Sequence, residues 1–125
     1  MLFPGNPIPL SRPRFSIQRV YDSQKNLKLI TGMHVVQQHD NEPFLIGPLH
    51  LEVTFYMPIP KFRLKKIKNG QSHISVPDLD NLIKWICDVC LNVIYKDDSI
   101  VTSINAKKIY DVNARTEFQF TQIGG

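Results

Sequence analysis

The order of hydrophobic patterns predicts an α/β (α+β) domain, a small β-sheet with helices packed on it. Three stretches carry the prediction. Leu49 to Met57 alternates apolar and polar residues over nine positions, the period of a half-buried strand. After Pro77, the residues Leu82, Ile83, Ile86, Val89, Cys90, Val93 and Ile94 recur at helical spacing. Ile100 to Tyr110 and Thr116 to Gln122 then return to strand-like alternation. The chain has 125 residues, enough for one domain (1–125) with an ordinary core. Its 42% hydrophobic and 21% charged residues fit a soluble globular protein. No apolar run approaches the roughly 18–20 residues of a membrane span, and the opening Met1-Leu2-Phe3-Pro4 lacks the pattern of a signal peptide. A cytoplasmic, intracellular location is expected.

Pro4 to Pro9 carries three prolines and is expected to be rigid and extended. Ser11-Arg12-Pro13-Arg14 follows, with Pro13 holding two arginines apart in a stiff segment; guanidinium groups suit bidentate phosphate contact, and plain solvation explains them equally well. Phe15 to Tyr21 alternates as one strand would. Asp22 or Ser23 is a candidate cap for a helix from Gln24 to His39, with Leu27, Ile30, Val35 and Val36 as its apolar side. Asp40 to Pro43 ends it. Pro58-Ile59-Pro60 stops the long strand. Asp111 to Ala114 reads as a turn, placing the last two strands in a hairpin with Phe118 and Phe120 on one face.

Charge is distributed unevenly. The net charge is +4, with a pI near 9.2. Lys61 to Lys68 holds five positive residues in eight (Lys61, Arg63, Lys65, Lys66, Lys68) interleaved with Phe62, Leu64 and Ile67. A short amphipathic helix or a hairpin arm turning at Asn69-Gly70 would present these as a basic edge to a polyanion. Lys107 and Lys108 add charge at the end of the next-to-last strand. A solvated basic surface is the plainer explanation; the position of the run, just before an acidic motif, favours nucleic acid. Cys87 and Cys90 form a Cys-x-x-Cys inside the second helix. No second cysteine pair exists to complete a zinc site, and the spacing places both thiols on or near the apolar stripe, as reduced buried cysteines of an intracellular protein.

The acidic motif is Pro77-Asp78-Leu79-Asp80-Asn81-Leu82-Ile83-Lys84. Residues two apart share a face in extended chain but not on a helix. Asp78 and Asp80 therefore converge only if Asp78 precedes the first turn. Asp97-Asp98 follows the helix. Crowded carboxylates repel unless a cation lies between them, and oxygen-only donors suit Mg²⁺ or Mn²⁺. Helix capping accounts for one of these acids, and an Asp80–Lys84 pair at i,i+4 for another. Four acids are explained less well that way. The metal reading requires Asp98 to meet Asp78 and Asp80, within one subunit or across a subunit boundary.

That motif, followed by Asp88 and then Asp97-Asp98-Ser99-Ile100, resembles the RusA family of Holliday junction resolvases. Pro7-Ile8-Pro9 with Arg12-Pro13-Arg14-Phe15, and the Pro-x-Pro with a lysine-rich stretch before the acids, resemble it too. The resemblance spans nearly the whole chain except residues 22–48. It implies a mixed sheet with helices packed on it, in a single RusA-like endonuclease domain. It further implies a homodimer, often phage- or prophage-encoded, that cuts four-way DNA junctions by paired symmetric nicks with Mg²⁺ or Mn²⁺. Asp78, Asp80 and Asp98 match the family's essential metal-binding aspartates and Lys84 its essential lysine. Arg12, Arg14, Lys61, Arg63, Lys65, Lys66, Lys68, Lys107 and Lys108 are the expected DNA contacts. The alternative is a non-catalytic, structure-selective nucleic-acid-binding module whose acids only cap a helix.

Overall fold

The computed structural model describes residues 1–10, 26–63 and 66–124, and the backbone at 14–15, 20–21 and 25. Its elements in chain order are β1 (Leu2–Pro4), β2 (Arg14–Phe15), β3 (Val20–Tyr21), α1 (Lys25–His39), β4 (Leu49–Pro58), α2 (Leu79–Cys90), β5 (Val101–Asp111) and β6 (Arg115–Gln122). Single 3₁₀ turns at Lys61–Arg63 and Asp98–Ile100 punctuate the connections.

β4 is the centre of the sheet because one of its faces is wholly apolar. Leu49, Leu51, Val53, Phe55 and Met57 are each 3% exposed or less, while the intervening residues reach solvent. These five form one core with Leu82, Trp85, Ile86, Val89 and Cys90 of α2. Burying a side chain of this size contributes about 1.5–3 kcal/mol. The strand order is β1-β6-β4-β5, with β5 parallel and β6 antiparallel to β4, so the sheet is mixed.

The expected β5–β6 hairpin is not formed. Both strands pair with β4, one on each side. A three-residue link, Val112 to Ala114, spans the two inter-strand steps of about 4.8 Å each, passing the end of β4 where Pro58 stops it. The reversal was legible, but β4, with its buried face, takes the place between its two ends. A register shift at Leu49/His50 also pairs Leu49 with Val101 and His50 with Ser103, leaving Thr102 as an extra residue. Val101, rather than Thr102, therefore shares the inner face with Ile104 and Ala106.

Three other expectations are corrected. Arg14–Phe15 and Val20–Tyr21 pair antiparallel as two short strands instead of one strand from Phe15 to Tyr21. α2 ends at Cys90, before Val93 and Ile94: Leu91 is extended, and Asn92 takes a left-handed φ of 65°, which asparagine tolerates. The N–H groups of Val93 and Ile94 then turn back to the Cys90 carbonyl at 3.1 and 2.9 Å, and Ile94 enters the core from the loop. α1 has the expected extent, but among its described residues Thr31 and Val35 are the buried ones, whereas Leu27, Ile30 and Val36 are about half exposed. Lys28 of α1 meets Asp88 of α2 at 3.0 Å. The short β1 was not anticipated; it pairs with β6, and Phe3 packs on Phe118 with ring centroids 5.0 Å apart. Phe118 and Phe120 do share a face, as expected.

Candidate active site

The acidic motif sits where an extended strap becomes α2. From Gly70 onward the chain runs beside the C-terminal half of β5. Gly70 N–H donates to the Tyr110 carbonyl at 2.8 Å, Tyr110 N–H to Gln71 at 2.9 Å and His73 N–H to Lys108 at 3.1 Å. The turn at Asn69-Gly70, with Gly70 at φ 86°, redirects the chain out of the basic run and into this strap. The Val76–Pro77 peptide is cis. Asp78 follows with φ −70° and ψ 145°, still extended, so it lies before the first turn as the spacing required.

Asp78 occupies the N-cap position, yet its side chain makes no capping hydrogen bond. Its carboxylate is exposed, and so is that of Asp80. Asp80 and Lys84 approach to 3.9 Å, both well exposed. A pair this loose and wet contributes little, about 0–1 kcal/mol, so Lys84 is readily released to another anion. Asp80, Lys84 and Cys87 stand at i, i+4 and i+7 on one flank of the helix, away from the buried stripe of Leu82, Trp85, Ile86 and Val89.

Asp98 opens the 3₁₀ turn that follows α2. Burial pushes the Cys87 thiol up, and the nearby carboxylates of Asp98 and Asp88 push it the same way. Asp98 likewise acts on the buried Tyr95, whose hydroxyl donates to the Cys87 carbonyl at 2.7 Å. Asp98, in the turn that follows α2, thus acts on Cys87 in the last turn of that helix. Asp97 has a separate task. Its carboxylate accepts the Ser99 N–H at 2.9 Å, capping the 3₁₀ turn that presents Asp98, and this bond holds its pKa below the ordinary carboxylate value.

The donors fit Mg²⁺ in kind, being hard, exposed carboxylate oxygens. In arrangement they fit less well: among the described residues, no three His, Cys, Asp or Glu side chains come together as a set that could hold a metal ion. Asp80 and Lys84 share one flank of α2, and among the described residues the three carboxylates do not gather into such a set.

Of the expected DNA contacts, Lys61, Arg63, Lys66, Lys68 and Lys107 are exposed. Arg12, Lys65 and the side chain of Arg14 lie outside the described residues. Leu10, two residues before Arg12, donates its N–H to the Asn81 carbonyl at 2.9 Å, so the chain enters the Arg12–Arg14 segment at the first turn of α2. Lys108 behaves differently. Half-buried, it directs its ammonium to the carbonyls of Ser75 at 2.6 Å and Pro77 at 2.8 Å. Composition alone could not distinguish it from Lys107; their opposite faces on β5 are the available signal. The cysteines are free, Cys90 buried and Cys87 half-buried.

A family model described as endodeoxyribonuclease RusA matches residues 4–121. Among curated proteins, the uncharacterized protein YqaN of Bacillus subtilis (strain 168) is 31% identical over 132 residues, covering 95% of this chain and 92% of that protein. The crossover junction endodeoxyribonuclease rusA of Lactococcus phage r1t is 38% identical over 77 residues, covering 61% of this chain and 56% of its own length.

Proposed function

The chain belongs to the RusA family of endodeoxyribonucleases, and from that premise we propose that it resolves four-way (Holliday) DNA junctions by paired, symmetric phosphodiester hydrolysis. The observation that carries the reading is the unspent acidic start of α2. Asp78 sits at the N-cap without capping, Asp80 is exposed one residue into the helix, and Asp98 acts on Cys87 of the same helix.

In this reading Asp78, Asp80 and Asp98 hold Mg²⁺ or Mn²⁺, which when bound supplies charge neutralisation at the scissile phosphate and an acidified water. Lys84 leaves its loose pair with Asp80 and places its ammonium against the negative charge that builds on the phosphate. The exposed Lys61, Arg63, Lys66, Lys68 and Lys107 contribute salt-dependent attraction to the DNA backbone, without sequence information. Two strands must be cut at one junction, so a two-fold homodimer with two such flanks matches the symmetry of the substrate. Gathering the three carboxylates then falls to a rearrangement on binding or to a contact across the subunit boundary. A role in recombination and repair follows from the substrate.

The ungathered carboxylates also favour a second reading, a non-catalytic module that binds branched DNA. Labelled four-way junction and linear duplex, each with and without Mg²⁺, separate the two. The nuclease reading expects metal-dependent paired nicks in the junction alone. It also expects Asp80→Asn to lower the rate by at least about 100-fold, the scale of lost electrostatic stabilisation, while junction binding survives. Wild-type cleavage by Asp80→Asn would refute the metal role, and junction binding indifferent to divalent ions would favour the module.

A further inference from the structure

We propose that Lys108 is a positioning residue for Asp78, clamping the strap that carries this aspartate into the site. The proposal rests on the nuclease reading above and assigns Lys108 a task other than DNA contact. Its ammonium, from the inner face of β5, donates to the carbonyls of both Ser75 and Pro77. Those residues flank Val76, and Pro77 is bonded directly to Asp78. Upstream, among the described residues, the strap is held by backbone hydrogen bonds as far as His73, whose N–H donates to the carbonyl of Lys108 itself. Among the described residues, the hydrogen bonds that tie Ile74 to Asp78 to the sheet are those of the Lys108 side chain. Ile74 and Val76 are 91% and 80% exposed, so their side chains do not anchor the segment. The first backbone bond of α2, from Leu82 N–H to the Asp78 carbonyl, is long at 3.3 Å, and the Asp78 side chain adds no cap. One ammonium therefore does what packing does elsewhere in the fold: it fixes the direction from which Asp78 enters the helix.

Groups that orient metal ligands from outside the ligand set are worth about 10–100-fold in metal affinity. Lys108→Met keeps the aliphatic stem and removes the donors; Lys108→Arg keeps donors and charge; Lys107→Met tests the exposed neighbour. Mn²⁺ binding to each protein, measured by calorimetry, is compared with junction binding in EDTA across a salt series. The clamp predicts Mn²⁺ binding weakened about 10-fold or more in Lys108→Met, partial recovery in Lys108→Arg and none of the loss in Lys107→Met. It also predicts an unchanged salt slope for junction binding by Lys108→Met, whereas Lys107→Met, which removes a DNA contact, should lower that slope. Hydrogen exchange should rise across residues 74–82 in Lys108→Met, with the β4 amides still protected, which separates a loosened strap from a misfolded chain. Wild-type Mn²⁺ affinity in Lys108→Met would overturn the proposal. So would a salt slope lowered by about one, the mark of a lost phosphate contact. If the wild-type protein binds no Mn²⁺, the nuclease reading fails and takes the clamp's function with it; if only Lys108→Met is indistinguishable from wild type, the clamp alone is wrong.

Discussion

Tyr95→Phe tests the joint between α2 and the turn that presents Asp98. Tyr95 is fully buried, its hydroxyl donates to the Cys87 carbonyl at 2.7 Å, and its ring meets Phe120 edge-on with centroids 5.2 Å apart. The substitution removes one oxygen and leaves the ring contact in place. A net hydrogen bond is worth about 0.5–1.5 kcal/mol, and a carbonyl left without its partner in the interior costs about 1–3 kcal/mol, against which the hydroxyl's own desolvation is recovered. A loss of about 1–2 kcal/mol at pH 7 follows, or about 4–8 °C in Tm for a chain of this size. Alkaline pH gives a second, independent number. In the folded chain the hydroxyl holds its proton well above the ordinary 10.0, because it is buried and because Cys87, Cys90 and Asp98 would repel a phenolate. Unfolded, it ionises near its ordinary value. Above pH 10 the unfolded state has therefore lost a proton that the folded state keeps, and stability falls as pH rises, by up to about 1.4 kcal/mol per pH unit for this group. Below that pH the contribution is constant. Urea titrations of both proteins from pH 7 to 11 should show the neutral-pH loss and, for Tyr95→Phe, an alkaline slope smaller by one proton. Burial also raises Cys87 and Cys90 from 9.0, so some decline above pH 9 persists in both proteins. A neutral-pH change under about 0.3 kcal/mol, well below the usual net hydrogen bond, together with an unchanged slope would refute the account of this joint.

Two further outcomes follow from the same geometry. Lys84→Met should leave stability within about 0.5 kcal/mol, since the exposed pair with Asp80 is weak, yet abolish junction cleavage; a large drop in Tm would instead make Lys84 structural. With a thiol-specific reagent at pH 7, Cys90 should stay unreactive and Cys87 should react slowly until urea unfolds the chain, because burial raises both thiols and keeps the thiolate scarce; rapid native labelling of Cys90 would contradict its packing.

The parts legible in the sequence are those fixed by burial of a periodic face. Leu49 to Met57 alternates because the strand has one dry side, and nothing else satisfies nine residues of period two. The start of α2 was legible because Pro77 and the acids mark it, and Asp78 does precede the first turn. Pairing was not legible, since β5 and β6 alternate equally well whether they meet each other or both meet β4. The end of α2 is not legible, because Val93 and Ile94 keep helical spacing while Asn92 leaves the helix; a core position filled from a loop has the same periodicity. Lys108 looks like basic surface beside Lys107 because its partners are backbone carbonyls, which leave no mark in the sequence.

The proposed site and the core divide α2 between them, and this accounts for the way the helix starts. One stripe, from Leu82 to Cys90, is held in place by β4. The flank bearing Asp80 and Lys84 carries almost none of that stabilisation, so its residues are free to answer to chemistry. An aspartate at an N-cap ordinarily gains about 0.5–2 kcal/mol by accepting a backbone N–H. Asp78 has the right position and extended backbone, but its side chain accepts no such bond. A carboxylate committed to the helix start would point its lone pairs at N–H groups and away from a cation. Leaving the cap unmade removes a stabilising bond from the helix start but keeps the oxygens open, and the Lys108 clamp on Ser75 and Pro77 restores the order that the missing bond would have supplied. In the proposed reading, fold and function are reconciled one residue before the helix, where a β5 lysine bonds the backbone so that an aspartate side chain need not.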